Sequence, residues 1–363
     1  MSVFNANPLA GSDSWSLADL GWSAIRATEA ASVDPEGVPG RVIRADRGRS
    51  LIAIDEHIVS VETAAAPVQP AVGDWVTLDP TSSRGRISSI LRRHTQFSRA
   101  TALSADNSSS IAEQLLATNV DLALVIEPAI DPNPRRLERE LLIADGATRT
   151  AVVVTKLDLV TDVGTIWNRL EPVTARRPLI AVSGVTGEGL EQLRAQFETG
   201  MTLACFGASG VGKSTLINAL LGEQRMATGP IREDDGRGRH TTVTRELFPL
   251  GNGVTVIDMP GIRALSTVAS ADAVDDIFED VARLAATCRF TDCQHESQPG
   301  CAVRDALDAG ELTTGRIAAY RKLLREAARQ RRRTDPRERE VEIRKQKAFG
   351  RRRNRTRDPK HQR

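Results

Sequence analysis

The sequence predicts a multidomain protein: a small β-barrel, then an α/β domain built on a parallel sheet, then a mostly helical C-terminal domain. Short alternating runs separated by Gly, Pro, Asp and Ser occupy residues 40–98, whereas continuous apolar runs alternate with helical patterns between residues 105 and 267. The chain has 363 residues, of which 40% are hydrophobic and 26% charged. This composition suits two or three domains and excludes a mainly disordered, collagen-like or disulfide-scaffold protein.

Membrane and secretory classes are not indicated. No apolar run approaches the ~18 residues of a spanning helix, and the N-terminus has no basic region followed by an apolar one. Four cysteines in the whole chain do not resemble an extracellular disulfide framework. We therefore expect a cytoplasmic protein without a membrane partner.

The first predicted domain spans residues 38–100, after a polar, Ala-rich lead-in at residues 1–37 that we expect to be loose. Five short β-like runs begin at Arg41, Leu51, Ile58, Asp74 and Arg86. Five strands in so short a span are typical of the OB-fold, a small barrel that often binds nucleic acids. A purely structural β-domain is the alternative, because a fold alone does not establish a ligand.

Residues 101–268 form the predicted α/β domain. Apolar runs without alternation begin at Asp121, Thr150, Leu179, Met201 and Val254. Strands that are buried on both faces have this pattern. Helical patterns lie between several of the runs, over residues 134–144, 189–198 and 213–221, so we expect a parallel sheet covered by helices.

A phosphate-binding motif begins directly after one of these apolar runs. It matches G-x-x-x-x-G-K-[ST] and comprises Gly207, Ala208, Ser209, Gly210, Val211, Gly212, Lys213, Ser214 and Thr215. Backbone N–H groups of such a loop, and of the helix that it opens, surround phosphate oxygens. We expect Lys213 to reach the β- and γ-phosphates of a nucleotide and the Ser214 hydroxyl to bind Mg²⁺. A Gly-rich turn without a ligand is the alternative.

A second segment, Asp258-Met-Pro-Gly261, also fits a nucleotide hydrolase because it directly follows another apolar run. An Asp at the end of a strand near a phosphate loop would hold Mg²⁺, directly or through water. Gly261 would let the backbone approach the γ-phosphate. Taken alone, D-x-P-G is only a plausible turn.

A third segment, residues 236–244, has two glycines among charged residues and is typical of a mobile switch loop. Thr241 or Thr242 is the candidate Mg²⁺ ligand within it, and spacing does not choose between them. His240 is either an exposed loop residue or the group that orients the attacking water.

Base selection is indicated by two segments that follow predicted strands. Thr155, Lys156, Leu157 and Asp158 are similar to the N-K-x-D guanine motif. The Asp158 carboxylate can accept hydrogen bonds from guanine N1–H and the 2-amino group, and adenine lacks this donor pair. Thr155 replaces Asn and lacks its amide, so the affinity for nucleotide is left open. Ser183 and Gly184 occupy the place of a loop that contacts guanine O6.

The order of these motifs along the chain is unusual. Ordinary GTPases place the phosphate loop first, then the switch loop, D-x-x-G, N-K-x-D and the Ser loop. Here the base motifs at residues 155–158 and 183–185 precede the phosphate loop at residue 207. All the elements of a G domain are therefore predicted, in a circularly permuted order.

A Cys/His cluster lies in the predicted C-terminal domain, residues 269–330, after an acidic helical stretch. Its members are Cys288, Cys293, His295 and Cys301. Three thiolates and one imidazole match a closed structural Zn²⁺ site, which leaves no position for a catalytic water. A disulfide is the alternative, disfavoured by the odd number of clustered cysteines and the expected compartment. Cys205 is interpreted as a small buried hydrophobe.

The last segment, residues 331–363, is expected to be a basic, disordered tail. Residues 316–363 carry a net charge of +14, and the rest of the chain carries −12. Such a block is either a solvated segment or the binding surface for a polyphosphate partner such as RNA or DNA, driven by counterion release. A membrane surface fits less well, because the segment has few apolar anchors.

These motifs together resemble a known family, the circularly permuted ribosome small-subunit-dependent GTPase A (YjeQ-type) family, over about residues 38–320. The resemblance implies an N-terminal OB-fold, a permuted G domain and a C-terminal zinc-binding domain. It implies a GTPase that binds the 30S subunit and its 16S rRNA, assists late subunit maturation, and is stimulated by the subunit. It also assigns the water-orienting role to His240, because Ile262 stands where Ras-like enzymes have Gln. We expect a monomer.

The residues alone leave three alternative functions open. A P-loop kinase or ATPase would not need T-K-L-D after a strand. A permuted GTPase acting on another ribosomal particle would share the G motifs, but would not be expected to carry both the leading barrel and the Cys₃His cluster. An RNA-binding assembly factor with a weak or vestigial GTP site would bind RNA without particle-stimulated hydrolysis.

Overall fold

The structure, a computed structural model, describes residues 15–46, 48–55, 57–64, 68–82, 85–101, 112–145, 147–174, 177–226, 245–259, 271–290, 293–296 and 298–334. The chain divides into two compact units, residues 1–267 and residues 268–363. No helix in the described ranges combines the length and apolar character that crossing a membrane requires.

The chain segment before the barrel is folded where the structure describes it. Helix α1 (Ala24–Val33) begins after Ser23, whose hydroxyl accepts a hydrogen bond from the Arg26 N–H. Leu20 is fully buried. The hydroxyls of Ser88 and Thr77 donate to the Asp34 carboxylate at the end of α1, and these bonds, that of Ser88 most, lower the pKa of Asp34 below its ordinary value. Residues 15–34, within the segment that we expected to be loose, are thereby attached to the barrel.

The five predicted barrel strands are present. They are β1 (Val38–Asp46), β2 (Arg49–Ile54), β3 (His57–Glu62), β4 (Trp75–Leu78) and β5 (Ile87–Ile90). They form an antiparallel sheet in the order β3-β2-β1-β4-β5, so the long strand β1 pairs with both β2 and β4. This is the strand order of an OB-fold, with no β3–β5 pairing in the described part of the sheet. Alternate residues, including Val42, Ile52 and Val76, fill its interior.

A two-stranded hairpin that the sequence analysis did not predict connects the barrel to the next layer. Strand β6 (Gln96–Thr101) pairs antiparallel with β7 (Ala112–Thr118). Phe97 of this hairpin packs against Phe206, with 5.0 Å between the ring centroids. The hairpin therefore contributes to the core next to the central sheet.

The central sheet has six strands, and the prediction of an α/β domain with a parallel sheet is confirmed. The strands are β8 (Leu122–Pro128), β9 (Arg149–Thr155), β10 (Leu179–Ala181), β11 (Thr202–Phe206), β12 (Leu247–Gly251) and β13 (Val254–Asp258). Their order is β10-β9-β8-β11-β13-β12, and all are parallel except the edge strand β12. The helices in the described part of this domain are α2 (Pro134–Asp145), α3 (Val163–Thr174), α4 (Leu190–Arg194) and α5 (Lys213–Leu221).

The position of β11 at the centre of this sheet determines where the motifs meet. It lies between β8 and β13, so the loops that follow these strands emerge at one edge. Ligands of open α/β sheets bind at the carboxyl ends of the strands. The predicted phosphate and base motifs all follow strands of this sheet.

A buried arginine joins the barrel to the central sheet at the opposite edge. Arg41 of β1 is 1% exposed, and its guanidinium donates to the Leu20 carbonyl and to the hydroxyls of Thr202 and Thr255. It also stacks on Trp75, with its Cζ 4.6 Å from the ring centroid. Burial lowers the pKa of Arg41 to about 9.

The second unit is helical in the ranges that the structure describes. Its helices are α6 (Ala271–Ile277), α7 (Glu279–Ala285), α8 (Ala302–Asp308) and α9 (Thr314–Thr334). Phe278 and Tyr320 pack with 5.5 Å between ring centroids, and the Tyr320 hydroxyl donates to Asp275 at 2.8 Å. Arg316 stacks on Phe278 and pairs with Asp280, which fastens α9 to α7. A small aromatic core thus holds this unit together.

Candidate nucleotide site and metal centre

The predicted phosphate loop connects β11 to α5. Its first glycine, Gly207, has φ +152°, and a Cβ placed there would lie 2.7 Å from the Ile126 carbonyl oxygen. Its last glycine, Gly212, has φ +105° and immediately precedes α5. Both positions therefore require glycine. The loop places the N–H groups of the first turn of α5, which have no intrahelical partners, toward the carboxyl edge of the sheet.

Lys213 lies at the start of α5 and turns back over the loop. Its Nζ donates to the carbonyls of Gly207, at 2.8 Å, and Ala208, at 3.1 Å. This contact places the ammonium group above the concave side of the loop, where phosphate oxygens would bind. Ser214 and Thr215 follow in the same helical turn and are partly exposed.

Asp258 stands at the carboxyl end of β13, opposite Cys205 of β11. Its Oδ1 is buried and has no hydrogen-bond partner among the described residues. Burial raises the pKa of Asp258, and the positive charge of Lys213 opposes that rise. An orphaned carboxylate oxygen beside the phosphate loop fits a site for Mg²⁺, whose ligands are oxygens. Cys205 is fully buried in β11.

The predicted guanine-binding residues lie on the neighbouring loops. Lys156 adopts the left-handed conformation with φ 62°, which sends the chain into the short 3₁₀ turn Leu157–Leu159. The Ser183 hydroxyl donates to Asp158 Oδ1 at 2.6 Å. The N–H of Val185 donates in turn to the Ser183 hydroxyl at 3.2 Å, so this serine fixes the orientation of the Asp158 carboxylate.

Thr155 connects the base motif directly to the phosphate loop. It is 3% exposed, and its hydroxyl donates to the Val211 carbonyl. A Cβ added at Gly212 would lie 3.1 Å from the Thr155 hydroxyl, which shows how closely the two loops approach. Gly184 makes a second close approach, because a Cβ there would lie 3.0 Å from Thr215 of α5. The short threonine side chain thus forms the link between the two loops through a single hydroxyl.

Asn218 of α5 holds the loop that follows this helix. The sequence analysis did not identify this residue. It is 3% exposed, and its Oδ1 accepts from the N–H groups of Arg225, at 3.1 Å, and Met226, at 2.7 Å. Its Nδ2 donates to the Met226 carbonyl at 2.9 Å. The sequence signal for Asn218 is an Asn among apolar residues of a predicted helix. A buried side-chain amide must find hydrogen-bond partners, so such an Asn is expected to bind a neighbouring loop.

Four predicted site residues lie outside the described residues. They are His240, Thr241, Thr242 and Gly261. The predicted tail beyond residue 334 also lies outside them. Their roles stay predictions.

The four predicted zinc ligands come together in the second unit. The ligand atoms of Cys288, Cys293, His295 and Cys301 all lie within 4.8 Å of one another. Two Sγ atoms, of Cys288 and Cys301, are 3.9 Å apart, and each is 3.6 Å from His295 Nδ1. A tetrahedral zinc with ordinary bond lengths requires about 3.8 Å and about 3.6 Å for such pairs. Burial lowers the pKa of His295, which favours the neutral imidazole that a metal needs. No disulfide joins the described cysteines.

The fold and this site define the class of protein: a P-loop GTPase whose sheet is circularly permuted. The base motifs precede the phosphate loop in the chain, yet β8, β9, β11 and β13 bring both to one edge. A family model described as RsgA GTPase matches residues 90–268. A relative from Streptomyces coelicolor, "Small ribosomal subunit biogenesis GTPase RsgA", is 41% identical over 341 residues, which cover 91% of each chain.

Two solved structures share the fold. YjeQ from Thermotoga maritima matches with a TM-score of 0.57 and 22% identity, over 80% of this chain and 98% of its own. YloQ, a circularly permuted GTPase, matches with a TM-score of 0.55 and 21% identity, over 81% of this chain and 96% of its own. The chain belongs to the RsgA GTPase family, and it is a GTP hydrolase of the circularly permuted type.

Proposed function

We propose that this GTPase binds the small (30S) ribosomal subunit, including its 16S rRNA, and assists late maturation of the subunit. The observation that carries the proposal is the extent of the similarity. A relative named for small-subunit biogenesis matches 91% of the chain, which includes the barrel, the nucleotide site and the Cys₃His cluster. A kinase or an ATPase would share only the phosphate loop.

The parts of the chain have separate roles in this proposal. The boundaries we propose are 38–100 for the OB-fold, 101–268 for the G domain, 269–330 for the zinc-binding domain and 331–363 for the basic tail. The net charge of +14 over residues 316–363 suits an rRNA partner, because neutralising phosphates releases counterions. One structural Zn²⁺ would hold the Cys₃His cluster. The protein would act as a cytoplasmic monomer.

GTP hydrolysis would proceed by in-line attack of water on the γ-phosphate. Asp158 and the Ser183 loop would select guanine, while the amides of residues 207–212 and Lys213 would neutralise charge that develops on the phosphates. Ser214 and Asp258, with Thr241 or Thr242, would hold Mg²⁺. When bound, the metal would supply further neutralisation of the charge that develops on the transferring phosphate.

The water-orienting group in this proposal is His240. The residue after D-M-P-G is Ile262, whose aliphatic side chain cannot orient a water molecule. Turnover would then be slow until a partner orders the loop that carries His240. Hydrolysis would act as a timer for release, since GTP and GDP states would differ in affinity for the subunit.

GTP hydrolysis measured at fixed salt, alone and with purified 30S subunits, tests the proposal. We expect slow intrinsic turnover that rises strongly with 30S subunits, no comparable rise with 50S subunits, and no activity in Lys213→Ala. His240→Ala should then lose the stimulated rate and retain nucleotide binding. If GTP binds and 30S subunits do not stimulate hydrolysis, the ribosomal assignment is wrong. An RNA-binding assembly factor with a vestigial site then becomes the better description.

A further inference from the structure

Strand β1 of the barrel follows β13, the strand of the central sheet that ends in Asp258. The first contact is made by Arg41 of β1, which reaches Thr255 near the start of β13. The second is an antiparallel bridge between Arg44 and Glu246, beside Asp258 at the end of β13. Three residue steps separate the contacts on β1, and three separate Thr255 from Asp258. Each interval spans about 10 Å of extended chain, so β1 supports β13 near both of its ends.

The first contact fixes two strands relative to each other. Arg41 Nη2 donates to the Thr202 hydroxyl of β11 at 2.5 Å, and Nη1 donates to the Thr255 hydroxyl of β13 at 3.4 Å. The Thr255 hydroxyl donates in turn to that of Thr202 at 3.3 Å, and the two threonines are register partners in the β11–β13 pair. All three side chains are buried. A charged donor that is held in place between two strands sets their spacing.

These two strands carry two parts of the nucleotide site. Strand β11 leads into the phosphate loop, and β13 ends at Asp258. Their ladder runs from the pair of Thr202 and Thr255 to the pair of Cys205 and Asp258. A β-strand is almost fully extended, so a displacement at its start is carried to its end. The contact made by Arg41 therefore helps to determine how far the Asp258 carboxylate lies from the phosphate loop.

The second contact lies directly beside Asp258. The Asp258 N–H donates to the Glu246 carbonyl at 3.3 Å, and Glu246 also forms the bridge to Arg44 of β1. The register of β1 against β2 shifts between Val42 and Arg44, an irregularity that bends a strand. The barrel thus supports the backbone that carries the orphaned Oδ1 of Asp258.

We propose that Arg41 is a positioning residue for the Mg²⁺ ligand Asp258, acting through Thr202 and Thr255, so that the barrel is part of the support of the metal site. A misplacement of about 1 Å can cost a hundredfold in rate, which is why a residue remote from the phosphates can matter. The proposal rests on the proposed function in one respect, that Asp258 holds Mg²⁺. It does not depend on a ribosomal partner.

Dissociation of mant-GMPPNP, a fluorescent GTP analogue that is not hydrolysed, tests this role in the full-length protein. The dissociation rate is measured over a range of Mg²⁺ concentrations and in EDTA. Mg²⁺ should slow release from the unaltered protein, because it joins Asp258 to the phosphate oxygens. Arg41→Met is expected to raise the Mg²⁺ concentration at half effect by about fivefold or more, the equivalent of one lost hydrogen bond. Its dissociation rate in EDTA should be unchanged, since the phosphate loop and Asp158 are unaltered.

Two variants of Thr255 repeat the test with a smaller change. Thr255→Val keeps the shape and removes the hydroxyl that contacts Arg41 and Thr202, so it should shift the Mg²⁺ dependence in the same direction. Thr255→Ser keeps the hydroxyl and should behave as the unaltered protein does. Arg93→Met is the matched control, because Arg93 pairs with the buried Asp74 of the barrel. It should lose stability in urea unfolding and keep the unaltered Mg²⁺ dependence.

Asp258→Asn separates this inference from the proposed function, and it should remove most of the Mg²⁺ effect. If it does so while Arg41→Met and Thr255→Val keep the unaltered Mg²⁺ dependence, the positioning role is wrong and the metal ligand stands. If Asp258→Asn keeps the full Mg²⁺ effect, the metal assignment is wrong and the positioning role falls with it. Equally faster release by Arg41→Met in Mg²⁺ and in EDTA, or the same Mg²⁺ shift in Arg93→Met, would indicate general loosening and overturn the inference. Failure of 30S subunits to stimulate hydrolysis would remove only the ribosomal role.

Discussion

Replacing Glu140 by Gln is expected to stabilise the protein at neutral and alkaline pH. Glu140 lies on α2 and is 4% exposed, and its Oε2 is buried without a hydrogen-bond partner in the described structure. The nearby Glu127 is fully buried, but its carboxylate accepts hydrogen bonds from Arg136 and from the Asn133 N–H. Arg136 is therefore hydrogen-bonded to Glu127, and the charges of Arg136 and Lys213 oppose the rise in the pKa of Glu140 only in part.

The size of this change in the free energy of unfolding follows from the protonation of Glu140 in the folded and unfolded states. Burial, and secondarily the charge of Glu127, raise the pKa of Glu140 from 4.5 to about 8. Between these two values the unfolded chain loses its proton and the folded protein keeps it. Because the folded state binds more protons, its stability falls as the pH rises through this window and levels off above pH 8. The two pKa values correspond to a loss of at most about 5 kcal/mol, and about 3 kcal/mol at pH 7.

Urea unfolding at several pH values from about 5 to about 9 measures this effect. Glu140→Gln keeps the shape and removes the ionisation, so its gain over the unaltered protein should grow with pH across the window. Glu191→Gln is the control, because Glu191 is exposed on α4. Parallel stability curves for Glu140→Gln and the unaltered protein would refute the reasoning, since a constant difference requires equal proton binding by both.

Three further variants test the contacts that assemble the molecule. Thr155→Val removes the hydroxyl that donates to Val211; we expect about 3- to 10-fold weaker GDP binding by calorimetry, restored by Thr155→Ser, and unchanged affinity would exclude the link. Cys293→Ser should lower the zinc content measured by atomic emission and reduce the helical circular dichroism of the second unit, and retention of one tightly held zinc would contradict the ligand set. Arg41→Met leaves the Leu20 carbonyl without its donor; we expect a loss of about 1–3 kcal/mol in urea unfolding, whereas equal or greater stability would show that desolvation of the guanidinium outweighs its hydrogen bonds.

Features that depend on residues close together in the chain, or on the order of motifs along it, could be predicted from the sequence. The five barrel strands and five of the six strands of the central sheet follow from runs of apolar residues, because alternation and continuity reflect burial on one face or on two. The phosphate loop and the Cys₃His spacing are short motifs whose backbone and ligand requirements lie within a few residues. Chain order alone identified the permutation.

Elements without such a pattern were missed. Helix α1 lies in a polar stretch, and Asp34 at its end is bonded to Thr77 and Ser88, which are distant in sequence. The β6–β7 hairpin has ten residues between its strands, too many for a turn signature. Strand β12 contains Pro249 and joins as the antiparallel edge, a place where proline is tolerated.

The sequence by itself determined which chemistry the chain carries: a phosphate loop, a guanine motif, a strand-end carboxylate and a set of metal ligands. Only the tertiary structure decided how these parts are joined. The Thr155 hydroxyl reaches the phosphate loop across 56 residues of chain, and Arg41 reaches Thr255 across 214. The same holds for Glu140, whose raised pKa depends on the strand and loops packed around α2. Contacts between residues so far apart leave no periodicity in the sequence, because they arise only when the sheet brings its strands side by side.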